Sequence, residues 1–161
     1  MLLGKHPIAP KDSPTYYSVV KYDGIPETGE SGRMPLPGQK RPPYRILVVE
    51  DDPGILCLNT EMLVRSGYHV DAAVNGAVAW DALQLTSYDL LITDHNMPEL
   101  SGVELLKNLH TARMDLPVIM ATGTLPEEFG RCPWLQPAAT LLKPYTVEEL
   151  LRTVTKVLRA G

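Results

Sequence analysis

Four stretches of this chain end in side chains that can do chemistry. "RILVVEDDP" (Arg45 to Pro53) closes on the acids Glu50 and Asp51, and "LLITDHNMP" (Leu90 to Pro98) delivers Asp94 to the tip of an apolar run. "VIMAT" ends in Thr122, and "TLLKPY" carries Lys143 ahead of a proline. Brought together, these residues make a pocket of three carboxylates, a hydroxyl and an ammonium. Two carboxylates about 4 Å apart repel by roughly 4 kcal/mol at an effective dielectric near 20, so three cannot stay ionised together without a cation or a proton. A hard divalent ion resolves the conflict. Mg²⁺ prefers oxygen ligands at about 2.0 to 2.1 Å in octahedral geometry and keeps several waters; Mn²⁺ shares the preference for oxygen. Asp51 and Asp94 are the expected direct ligands, Glu50 acts through water, and the backbone carbonyl at Asn96 completes the protein's share. With that charge neutralised, a carboxylate can attack phosphorus and form an acyl phosphate. Asp94 is the expected nucleophile, Thr122 the hydrogen-bond donor to one phosphoryl oxygen, and Lys143 the ion-pair partner of another.

Such a pocket needs elements that carry distant residues to one edge, since the successive gaps between Asp51, Asp94, Thr122 and Lys143 are 43, 28 and 21 residues. From Arg45 onward the apolar pattern supplies them. "RILVV", "YHVDAAV", "DLLITD", "LPVIMAT" and "ATLLK" read as five strands, and they are continuously apolar in place of the alternation of a half-exposed sheet. Helices intervene. One follows Asp52 as cap and Pro53 as first helical residue and stops at Gly67; another follows Asn75; a third runs from Ser101 to about Thr111. The last opens with a capping box from Thr146 to Glu149. Strand and helix alternating in this way predict a parallel sheet covered on both faces, with the site beyond the carboxyl ends of the strands.

Composition narrows the function classes. The chain has 161 residues, 44% of them hydrophobic, which is enough for one core and an appendage. Residues 45 to 161 hold nine Lys/Arg against fifteen Asp/Glu, so the folded part is acidic and unsuited to a nucleic-acid backbone. Cys57 and Cys132 are far apart and have no zinc-ligand spacing, as in reduced thiols of a cytoplasmic protein. No apolar stretch approaches the ~20 residues that span a bilayer, and the first residues lack a signal-peptide pattern. Residues 1 to 43 hold eight of the fifteen prolines and read as a flexible, largely irregular arm, distinct from a domain at 44 to 161. Within the arm, "TYYSVVKY" (Thr15 to Tyr22) is strand-prone and could add to a sheet edge or bind a partner, although a linker is the favoured reading.

In that order and at those spacings, "RILVVEDDP", "DLLITDHNMPELSG", "VIMATG" and "TLLKPY" resemble the receiver domain of two-component response regulators, over about residues 44 to 160. The resemblance implies a flavodoxin-like, doubly wound α/β fold with a five-stranded parallel sheet in the order 2-1-3-4-5. It implies Glu50 and Asp51 as the metal pair, Asp94 as phosphoacceptor, Thr122 as switch hydroxyl, Lys143 as phosphate-pairing lysine, and a cis peptide before Pro144. A histidine kinase or a histidine phosphotransfer protein is the implied donor. The chain would be a stand-alone signalling module that catalyses only its own modification, not an enzyme with a turnover substrate, and it would signal through an unidentified downstream protein.

Two features depart from the family pattern. An aromatic residue usually stands three positions before the lysine, where this chain has Thr140. The segment "LPEEFGRCPWLQPA" contains Gly130, Pro133 and Pro137, and a proline inside a helix costs ~3 kcal/mol or more, so the fourth helix is expected to be short or broken. Phe129 and Trp134 could rebuild that face or simply pack. These departures motivate a second reading, a receiver-like protein-binding domain that works without phosphorylation. A toprim-type magnesium enzyme fits less well, since it expects Asp-x-Asp where Asp94 is followed by His95 and Asn96. Among bland roles, Asp52 is read as a helix cap and His95 as a solvent-facing residue beside the pocket.

Overall fold

A computed structural model of the chain describes residues 19–22 and 44–161. The elements run β1 (Val20–Tyr22), β2 (Arg45–Val49), α1 (Pro53–Arg65), β3 (His69–Ala73), α2 (Gly76–Leu85), β4 (Leu90–Asp94), α3 (Gly102–Thr111), β5 (Val118–Thr122), α4 (Glu128–Arg131), β6 (Ala139–Leu142) and α5 (Val147–Ala160). The sheet order is β1-β3-β2-β4-β5-β6. Every pairing from β3 to β6 is parallel, so the five strands expected from sequence stand in the 2-1-3-4-5 order.

A sixth strand falls within the strand-prone stretch Thr15 to Tyr22, where the less favoured of the two readings, addition to a sheet edge, holds for three residues. Val20, Lys21 and Tyr22 lie antiparallel opposite Ala72, Asp71 and Val70. For these three residues the edge-strand reading replaces the irregular arm. The physical reason is that β3 would otherwise present a row of unpaired peptide groups at the margin of the sheet. The rest of the expected arm, including Thr15 to Ser18, lies outside the described residues.

Continuous apolarity follows from burial on both faces. Ile46, Val48, Ile92 and Ile119 face one layer, where Leu63 of α1 and Leu150 and Val154 of α5 complete the core. Leu47, Val49, Leu91 and Met120 face the other, against Leu83 of α2 and Leu105 and Leu109 of α3. Fully burying each such side chain stabilises by about 1.5 to 3 kcal/mol. That burial locks the strand register, and the register fixes which residue ends each strand.

Caps set the helix starts as expected. Asp52 Oδ1 accepts from the amides of Gly54 (2.8 Å) and Ile55 (3.0 Å), and Asn75 Oδ1 accepts from that of Val78 (2.9 Å). Ser101 with Glu104 and Thr146 with Glu149 close reciprocal capping boxes. The fourth helix is reduced to one turn without a side-chain cap. Cys132, the residue before Pro133, is extended (φ −121°, ψ 94°), as the steric demand of a following proline requires.

Candidate functional site

Parallel register brings the strand ends to one edge. Glu50 follows β2 and is 3% exposed, and its amide donates to the Ala73 carbonyl at 3.1 Å. Asp94 ends β4 at 7% exposure, while Asp51 is exposed. Oxygens of the three carboxylates lie within 4.8 Å of one another. Lys143 Nζ donates to Glu50 Oε2 at 2.8 Å and to Asp94 Oδ2 at 3.2 Å. The opposite oxygens are held by main chain: Glu50 Oε1 accepts from Asp52 N (3.2 Å) and Asp94 Oδ1 from His95 N (2.7 Å).

The electrostatics remain unbalanced. One ammonium faces three acids, and that excess of negative charge in an all-oxygen donor set suits a hard divalent cation. Burial pushes the Glu50 carboxyl above its ordinary pKa; the hydrogen bonds from Lys143 and from the Asp52 amide oppose this, and the charge of Asp94 adds to it. For Lys143, burial acts to lower the pKa, but the hydrogen bond and charge of Glu50, then of Asp94, outweigh it and raise the value. Each partner thus holds the other's charge.

Local sequence explains why Asp94 can sit there. Gly102, the first residue of α3, approaches the turn so closely that a Cβ would lie 2.3 Å from the Asp94 carbonyl oxygen and 2.8 Å from the Met120 sulfur. Its amide donates to the His95 carbonyl at 3.0 Å and closes the loop. Glu99 takes a left-handed backbone (φ 71°) within the same turn. On the far side, the Lys143 amide donates to the Thr122 carbonyl at 2.9 Å, and the Lys143–Pro144 peptide is cis.

Thr122 is fully buried at the end of β5, but its hydroxyl donates to the Thr124 carbonyl at 2.9 Å, and no hydrogen bond joins it to Asp94 among the described residues. Asn96 is exposed in the turn after β4 and, with His95, Thr124, Leu125 and Arg131, lines a hollow of about 350 Å³ beside the acids. His95 is only partly exposed, and its Nδ1 is buried without a partner. Thr140 lies on β6 opposite Met120, with no ring to swing. Of the two aromatic residues in the degenerate segment, Phe129 packs against the second core layer, whereas Trp134 is 53% exposed and stacks on His110 of α3 with ring centroids 4.6 Å apart.

A family model described as the response regulator receiver domain matches residues 46–155. The chain belongs to the response regulator receiver family. It is 41% identical over 111 residues to response regulator RppA of Synechocystis, covering 66% of this chain and 47% of that protein. It is 34% identical over 120 residues to the response regulator receiver protein CpdR of Brucella abortus, covering 73% of this chain and 98% of that protein. The receiver therefore spans about half of RppA and nearly all of CpdR. Among solved structures, the chemotaxis response regulator CheY4 of Vibrio cholerae superposes with a TM-score of 0.65 at 30% identity, covering 71% of this chain and 98% of that one. TrrA of Thermotoga maritima, solved in complex with Mg²⁺ and BeF, gives 0.64 at 32% identity, again covering 71% and 98%.

The receiver fold thus places Glu50, Asp51, Asp94 and Lys143 in one pocket, with Thr122 at its wall and Asn96 at its rim. The sequence reading passed over Gly102, whose signal was the Ser-Gly pair closing "MPELSG". It also passed over Asn59 and Tyr145, described below, for which no local pattern exists. Among the described residues no helix is long and apolar enough to cross a membrane.

Proposed function

We propose that this receiver is a phosphorylation-controlled module of a two-component or phosphorelay system, working in the cytoplasm and accepting a phosphoryl group on Asp94 from a histidine kinase or a histidine phosphotransfer protein. The observation that carries the reading is the position of the Asp94 carboxylate, at a strand tip, beside two further acids and 3.2 Å from the Lys143 ammonium. Glu50, Asp51, Asp94 and the Asn96 carbonyl would hold Mg²⁺ or Mn²⁺. When bound, the ion supplies charge neutralisation for a phosphoryl group arriving among carboxylates.

The chain's own residues account for the rest. An Asp94 oxygen forms a bond to phosphorus as the phosphorus–nitrogen bond of the donor phosphohistidine breaks, and the electron pair remains on the imidazole, which is protonated from solvent. The His95 amide already fixes the Asp94 oxygen Oδ1. The Lys143 ammonium, drawn toward both acids before the reaction, pairs with the phosphoryl oxygens after it. Thr122 must exchange its bond to the Thr124 carbonyl for one to the phosphoryl group, which would carry the change into the β5–α4 segment. Output passes to a protein partner, and no turnover of an independent substrate is required.

Intact mass after incubation with acetyl phosphate and Mg²⁺ tests this. One added phosphoryl group, dependent on metal and absent in Asp94→Asn, is the expected result. No gain in the wild-type chain under any metal condition would overturn it and leave a phosphorylation-independent binding domain.

A further inference from the structure

Asn59 lies on α1 and is 5% exposed, on the face that otherwise offers Leu56, Thr60 and Leu63 to the core. A buried amide without a hydrogen bond is costly, so its partner matters. That partner is Tyr145, whose hydroxyl oxygen accepts from Asn59 Nδ2 at 2.8 Å across 86 residues of sequence. The Tyr145 ring is half-buried and packs against the first core layer.

The two residues join the segments that carry the opposite halves of the charge cluster. Helix α1 is capped by Asp52, immediately after Glu50 and Asp51, and Asn59 stands seven residues past the cap, about 10 Å along the axis. Tyr145 is two residues past Lys143, with Pro144 between them. Before Lys143 the chain is anchored to the sheet through the bond from its amide to the Thr122 carbonyl. After it, Pro144 has no amide hydrogen to give, so the next hydrogen-bonded anchor is the Tyr145 hydroxyl, ahead of the cap at Thr146.

We propose that the Asn59–Tyr145 hydrogen bond is a positioning clamp that sets where Lys143 presents its ammonium between Glu50 and Asp94. This inference rests on Asp94 being the acceptor. Of the two bonds made by Lys143 Nζ, the one to Asp94 is longer than the one to Glu50, by 3.2 Å to 2.8 Å. A small displacement of the segment therefore loosens the contact with the reacting carboxylate first. Asn59 and Tyr145 touch neither the acceptor nor the metal ligands, and they act through Lys143.

The test compares Tyr145→Phe, which keeps the ring and removes only the hydroxyl, with Asn59→Ala and the double variant. Each single change is expected to lower the maximal rate of phosphorylation by acetyl phosphate roughly three- to tenfold, less than the ~100-fold that a 1 Å misplacement brings. The Mg²⁺ concentration for half-maximal rate should stay within about twofold, because the carboxylates on β2 and β4 are untouched. The double variant should be no slower than the slower single one, as befits two ends of one bond. In ¹³C-lysine-labelled protein, the Cε resonance of Lys143 should move in both single variants. A loss of folding stability with an unmoved Lys143 resonance and an unchanged maximal rate would overturn the clamp, as would rate losses that multiply in the double variant. If the wild-type chain takes no phosphoryl group, the acceptor reading fails, while the Lys143 resonance still decides the clamp.

Discussion

Helices α3 and α4 both follow a strand that ends in a residue of the candidate site, Asp94 or Thr122, yet they are built in opposite ways. After Asp94, α3 runs for ten residues, closes a capping box between Ser101 and Glu104, and buries Val103, Leu105, Leu106 and Leu109. After Thr122, α4 lasts four residues, has no side-chain cap and fully buries none of them, with only Phe129 packed partly against the core. Asp94 is therefore set in a stiff frame, while Thr122 opens into a weakly held one. Few buried contacts mean a low free energy of local opening, so the β5–α4 segment is the part of this receiver that can rearrange at small cost.

Breaking the stiff side should cost most. Gly102→Ala drives a Cβ to within 2.3 Å of a backbone oxygen and is expected to destabilise the fold by about 3 kcal/mol, with loss of phosphorylation. Urea unfolding together with intact mass measures both, and a cost below about 1 kcal/mol would mean that the turn after Asp94 has room to give.

The cap is the next lever. Ser101→Ala should lower the urea-derived stability by about 1 kcal/mol. Its partner Glu104 is held below the usual carboxylate pKa, first by the Ser101 amide and then by the Ser101 hydroxyl. A depressed pKa in the folded state contributes stability that is present above the unfolded value and lost as pH falls through the folded one. Wild type and Glu104→Gln should accordingly differ at neutral pH and converge in acid, which thermal melts across pH 3 to 7 would show.

The smallest effect belongs to the loose side. Gly130→Ala meets nothing within 4 Å and removes glycine from a helical turn, so it should be neutral or stabilising by up to about 1 kcal/mol. If it also slows the response to phosphorylation, seen as a smaller change in amide exchange over residues 123 to 138, looseness at α4 is functional; equal responses would make it incidental.

Much of this contrast was legible in the sequence. Five apolar runs, four of which stop at Glu50, Asp94, Thr122 and Lys143, speak for themselves, because two-sided burial leaves no other pattern and strand ends are where such residues emerge. The shortness of α4 was written in Gly130, Pro133 and Pro137. What stayed hidden depends on partners far away in the chain. The strand-prone stretch holding Val20–Tyr22 was visible, but not which edge it joins, since its partner on β3 lies about fifty residues on. The direction of the Thr122 hydroxyl and the meeting of Asn59 with Tyr145 arise only once the sheet has closed. Gly102 passed as one more residue of the third helix, whereas its reason is the close approach to the Asp94 carbonyl.

The strand Val20–Tyr22 has a consequence for life at high concentration. By occupying the outer peptide groups of β3, it replaces a five-residue edge with one of three residues and so shortens the template on which sheets grow from chain to chain. Among the described residues, the opposite margin at β6, with Leu142 more than half exposed, is where one copy could still zip onto another. Both margins of the described sheet thus end in short strands, three residues at β1 and four at β6, which limits the length of edge that a second copy could pair with on either side.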